Sequence, residues 1–123
     1  MAIYKIFPNK DATVYSRYIC KNTGLDPILE VTVKNGELLT STTGEDIRRS
    51  LISFSDTDIQ KLKSLSSSSF QANLRMYLAF AQNLTEDYTI ECFPVTQSWD
   101  MGVGKFVPEN TSGVSWTYTG QCS

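Results

Sequence analysis

The stretch "ANLRMYLAFA", residues 72–81, decides how this chain folds. Leu74, Met76, Leu78 and Phe80 occupy every second position, with Arg75 and Tyr77 between them. A period of two puts the four apolar side chains on one face of a strand. Leucine, methionine and alanine also favour helices, so a buried helix is the competing reading. Alternation sustained through the stretch selects the strand.

Outward from this segment the same short pattern recurs. "IYKIF" (3–7), "ATVYS" (12–16) and "RRSLISF" (48–54) read as strands separated by turn residues. "ILEVTV" (28–33) alternates Leu29, Val31 and Val33 against Glu30 and Thr32, and Asn35-Gly36 is a hairpin turn leading into "LLTST" (38–42). "YTIECFPV" (88–95) and "GVSWTYT" (113–119) complete the set. Between them, "SDTDIQKLKSL" (55–65) changes period. Ser55 or Asp56 caps a short helix near residues 56–65, with Ile59, Leu62 and Leu65 on one stripe. Apolar strand faces need cover, and the other strands are the material available. The expected architecture is therefore all-β: a single domain over residues 1–123, a two-sheet antiparallel β-sandwich with jelly-roll-like connections.

Composition narrows the function. The chain has 123 residues, thirteen acidic and eleven basic, and the basic residues form no dense face that would hold duplex nucleic acid. No apolar run approaches the roughly 20 residues that cross a bilayer. Lys5, Pro8 and Lys10 break up any signal-peptide core, which predicts synthesis in a cytoplasm without a cleaved export signal. Histidine is absent, so a serine or cysteine nucleophile lacks its usual base. No carboxylate pair sits in a recognisable motif, and the chain reads as non-enzymatic. Cys20, Cys92 and Cys122 form no zinc spacing. Free thiols are the preferred reading, and one bridged pair outside a cell is the alternative.

Several local motifs carry a functional and a structural reading. "GVGK" (102–105) hints at a phosphate loop, but Trp99 and Phe106 stand where the glycine and the hydroxyl residue of that loop belong. Asp11, Asp26 and Glu30 are carboxylates of the kind calcium takes, yet without a calcium-loop spacing solvated turn acids are the simpler account. No cofactor or metal is therefore expected. Trp99 and Trp116 read first as anchors that plug a sandwich, while Gly102, Gly104 and Gly113 let the chain cross between layers. Their second reading, with Tyr77 and Tyr118, is a platform for stacking sugar rings. Arg75, opposite the Leu74–Phe80 row, is placed to meet a carboxylate across an interface.

In order, "DATVYS" (11–16), "NTGLDPILEV" (22–31), "RRSLISF" (48–54), "ANLRMYLAFAQNL" (72–84), "ECFPVTQSWDMGVGKF" (91–106) and "GVSWTY" (113–118) resemble the β-sandwich modules called DNRLRE-like or carbohydrate-binding-module-like. The chain looks especially like small structural proteins of tailed bacteriophages. That resemblance implies a virion protein made in the host cytoplasm. It would decorate the capsid, with tail or tail-fibre placement next, and bind major capsid or tail proteins and copies of itself. The alternative it implies is a carbohydrate-binding module for host surface glycan. Related modules usually continue beyond "GVSWTY", whereas here Ser123 follows five residues after Tyr118. The expectation is a smaller sheet, or an edge completed by another subunit.

Overall fold

The computed structural model of the chain describes residues 3–34, 46–65, 71–81, 87 and 89–122. Three strands and one helix follow in order: β1 (Lys10–Tyr15), β2 (Thr32–Lys34), β3 (Asp46–Ser53) and α1 (Asp56–Leu65). The strands make one antiparallel sheet in the order β1-β3-β2. β1 and β3 grow from the runs "ATVYS" and "RRSLISF", while only the end of "ILEVTV" enters β2. The Asn35-Gly36 turn and the 38–42 strand lie outside the described residues. α1 forms where its cap and stripe place it, with the Ser55 carbonyl accepting from Ile59 N–H at 3.1 Å. Asp56 and Asp58 in its first turn and Lys63 in its last suit the helix dipole.

The register gives the sheet two unlike faces. Ala12 pairs with Leu51 and Val14 with Arg49, while Thr13 pairs with Ser50 and Tyr15 with Arg48. The first set meets the core, in which Ala12 and Val14 pack with Trp99 and Val114, and Leu51, Met101 and Trp116 close round them. The second set is polar and is covered by the chain at Glu30. There Glu30 N–H donates to Thr13 Oγ1 at 3.1 Å, and Ser50 Oγ donates to the Glu30 carbonyl at 2.9 Å. The outer edge of β1 is closed by one hydroxyl. Thr23 Oγ1 accepts from Thr13 N–H at 3.2 Å and donates to the Thr13 carbonyl at 2.7 Å.

The expected two-sheet β-sandwich is not formed; the described residues contain one open three-stranded sheet. The segment 72–81 is neither strand nor helix, and Leu74, Met76, Leu78 and Phe80 remain 48%, 56%, 77% and 76% exposed. The segments 3–7, 89–95 and 113–119 form no strand either. Alternation reports which positions favour burial on one side; it does not say what buries them. The core face is covered instead by irregular backbone. Residues 99–119 are tied to themselves by Asp100 N–H to the Thr119 carbonyl (2.8 Å), Val114 N–H to the Asp100 carbonyl (2.7 Å) and Ser115 N–H to the Tyr118 carbonyl (2.8 Å).

Asn22 joins this cover to the sheet. Its side chain is fully buried. Nδ2 donates to the carbonyls of Met101 (2.8 Å) and Val114 (2.9 Å), and Oδ1 accepts from the N–H groups of Gly24 (3.2 Å) and Gly104 (2.9 Å). A Cβ at Gly102, Gly104 or Gly113 would collide with Asn22, and Gly102 and Gly113 have φ of 75° and 107°.

The reading of three free thiols is corrected. Cys20 and Cys122 form a disulfide, their Cα atoms 5.3 Å apart, while Cys92 is free and exposed. The bridge joins residues separated by 102 positions. In the chain-entropy account a loop of that length stabilises by about 4–5 kcal/mol. Replacing both cysteines by serine is expected to lower the unfolding free energy by about that amount. An unchanged denaturation midpoint would show that the bridge contributes nothing.

Candidate functional site

On the core side, the sheet and its cover leave an open groove of about 290 Å³. Val14 and Leu51 lie at its base, and Trp99, Trp116 and Tyr118 line it with Arg49 and Gln97. β1 and β3 position the first pair by their register. The backbone bonds of residues 99–119 position the aromatics. Trp99 is 8% exposed and belongs to the core, with Lys10 Nζ 4.5 Å from its ring centroid and donating to its carbonyl at 2.8 Å. Trp116 is half-buried, and the Arg49 guanidinium lies 5.1 Å from its ring centroid. The groove therefore brings together aromatic rings, one cation and one amide, set between apolar walls.

Three of the five residues singled out in the sequence, Trp99, Trp116 and Tyr118, thus meet at one place. Tyr77 and Arg75 do not join them; both sit on the exposed 71–81 segment, Tyr77 at 86% exposure. Gly102 and Gly104 serve the packing round Asn22, which accounts for "GVGK" without a phosphate. Of the proposed calcium carboxylates, Asp26 Oδ2 accepts from Phe106 N–H at 3.0 Å, and Glu30 is engaged by internal donors. The described residues hold no cluster of three metal-ligating side chains. Among them no helix is long and apolar enough to cross a membrane.

The polar face carries the strongest electrostatics. Arg48 Nη1 reaches Glu30 Oε1 at 2.9 Å, and Arg48 Nη2 reaches Asp46 Oδ2 at 3.0 Å. Tyr15 Oη donates to Glu30 Oε2 at 2.6 Å. Asp46 Oδ1 and Arg48 Nε are buried with no hydrogen-bond partner among the described residues. Burial first, and then the hydrogen bond and charge of Glu30, push the Tyr15 hydroxyl far above its ordinary value. Burial by itself would lower the Arg48 guanidinium, but the carboxylates of Asp46 and Glu30 more than offset it, and the net shift is upward. Next to this cluster, Lys21 is buried with its ammonium 3.8 Å from the Phe106 ring centroid and 4.3 Å from that of Tyr18. The Arg48 guanidinium bridges the Glu30 and Asp46 carboxylates, and the Lys21 ammonium lies against two ring faces, so the cluster braces the sheet.

Sequence reasoning missed Asn22, Thr23 and Lys21. Locally "NTGLDP" (22–27) reads as a turn, and the glycines that meet Asn22, at 102, 104 and 113, lie 80 or more positions away. Comparison with known proteins gave no match, whether to a family model, a curated protein or a solved structure. The resemblance to DNRLRE-like modules consequently stands on the quoted motifs alone.

The shifted tyrosine gives a pH test. With the folded pKa raised, the protonated phenol's contribution is fully present below the unfolded value near 10 and is lost as pH rises from there towards the folded value. Wild-type stability is therefore expected to fall with pH above about 10 more steeply than that of Tyr15→Phe. Denaturant midpoints with identical alkaline slopes in both proteins would refute the assignment.

Proposed function

We propose that the chain is a non-enzymatic structural subunit of a tailed-phage virion, on the capsid surface in first place and in the tail or a tail fibre in second. It acts through repeated protein–protein contacts, for which modest affinity per copy suffices on a symmetric particle. The observation that carries this reading is exposed apolar surface: among the described residues Leu74, Met76, Leu78, Phe80, Ile90, Phe93 and Val95 are 48–77% exposed. Exposed apolar surface on that scale marks a protein-binding face. The order of the quoted motifs supplies the phage context.

A second reading, as a glycan-binding module, is favoured by the groove, where Trp116 and Tyr118 stand beside Arg49 and Gln97. Aromatic faces with a few polar groups are what a saccharide requires.

One experiment separates the two. Purified virions are analysed for the chain by mass spectrometry, and recombinant chain is incubated with particles assembled without it and with a glycan array. The structural reading predicts presence in virions and saturable binding to capsid or tail, unaffected by Trp116→Ala. Absence from virions would end it. Binding to glycan that is abolished by Trp116→Ala would put the second reading in its place.

A further inference from the structure

We infer, resting on the glycan reading of the groove, that the saccharide it takes carries a carboxylate and that this carboxylate sits on the Arg49 guanidinium. Arg48 and Arg49 are neighbours on β3 with opposite fates. Arg48 faces the polar side and bridges the Glu30 and Asp46 carboxylates. Arg49 pairs with Val14 in the register and lines the groove on the core side. Its guanidinium lies 5.1 Å from the Trp116 ring centroid and makes no hydrogen bond or ion pair among the described residues. Among the described residues that line the groove, Arg49 is the one charge and none is an aspartate or glutamate.

A guanidinium so placed selects its ligand. Contact with the ring restrains the side chain but consumes none of its five N–H donors, which form a fixed planar fork. A carboxylate takes that fork through two parallel charge-assisted hydrogen bonds, stronger than those a neutral hydroxyl makes. The rest of the lining suits the body of a sugar. Trp116 and Tyr118 supply ring surface for its C–H groups, and Gln97, Thr117 and Thr119 supply an amide and two hydroxyls for its own hydroxyls. A peptide carboxylate fits less well. An extended peptide draws its affinity from a free strand edge. The groove lies on the face of β1 and β3, and the outer edge of β1 is closed at Thr13 by Thr23. At about 290 Å³ the groove sits at the small end of ligand sites, roughly 300–1,000 Å³, which suits a short saccharide and not a protein surface.

The test measures calorimetric binding of the full chain to a panel of uronic-acid and sialic-acid oligosaccharides, each paired with its carboxyl-reduced, neutral counterpart. An acidic member should bind, and its neutral counterpart should bind roughly tenfold more weakly or worse. Arg49→Gln should lose a similar factor for the acidic sugar and none for the neutral one. Arg49→Lys, which keeps the charge but not the fork, should fall between. Arg49 is exposed, and an unchanged denaturation midpoint checks that each variant folds. The reduced sugars need no variant, so the comparison stands even where a variant does not fold. A neutral counterpart bound as tightly as the acid, or acidic binding indifferent to Arg49→Gln in a folded chain, would overturn the carboxylate assignment and leave the glycan reading. Binding of no sugar, acidic or neutral, would remove both.

Discussion

The packed part of this molecule depends on one buried amide. Asn22 uses both of its donors and both sites of its acceptor on backbone groups, drawn from residues 24, 101, 104 and 114. A buried amide is tolerated only when so satisfied, because each unmet backbone group costs about 1–3 kcal/mol. The glycines make the arrangement possible. Gly102 and Gly113 turn with positive φ against the Asn22 side chain, at positions where any Cβ would strike it. Three distant stretches of chain are thereby held at one point, and the two tryptophans are delivered to the apolar face of the sheet.

From that point the rest follows in layers. The cover held by Asn22 buries Ala12 and Val14 beneath Trp99 and Val114. The opposite face is covered without a second sheet, because Glu30 bonds Thr13, Tyr15, Ser50 and Arg48 between its backbone and its carboxylate. The disulfide from Cys20 to Cys122 fastens the last residues beside the same junction. This unit consumes only part of the apolar content of the chain. Part of the remainder, Leu74, Met76, Leu78, Phe80, Ile90, Phe93 and Val95, stays exposed among the described residues.

How much of this the sequence disclosed depends on whether a signal was local. β-branched alternation placed β1 and β3, and a serine cap with two early aspartates placed α1, since those determinants lie within a few residues. Trp99 was legible as an anchor because a buried indole is the common fate of tryptophan in a small domain. The sandwich was not legible, and the expectation of it failed at Leu74–Phe80. That row has the period of a strand, but a period does not supply the surface that would bury it, and the row stays exposed. The Cys20–Cys122 pairing and the Asn22 contacts are not local either: their partners lie some eighty to a hundred positions away. Arg49 shows the same limit on a smaller scale, since its place over Trp116 follows from register and not from the doublet Arg48-Arg49.

The most direct measurement compares the unfolding free energies of wild type, Asn22→Ala and Asn22→Asp in denaturant. Aspartate keeps the shape of asparagine but replaces the Nδ2 donors with an oxygen, which would face the carbonyls of Met101 and Val114. If the amide is the junction, both variants lose at least about 3 kcal/mol, and the isosteric aspartate rescues nothing. If Asn22→Asp instead stays within about 0.5 kcal/mol of wild type, the range of an ordinary surface change, the junction lies elsewhere and the account is wrong.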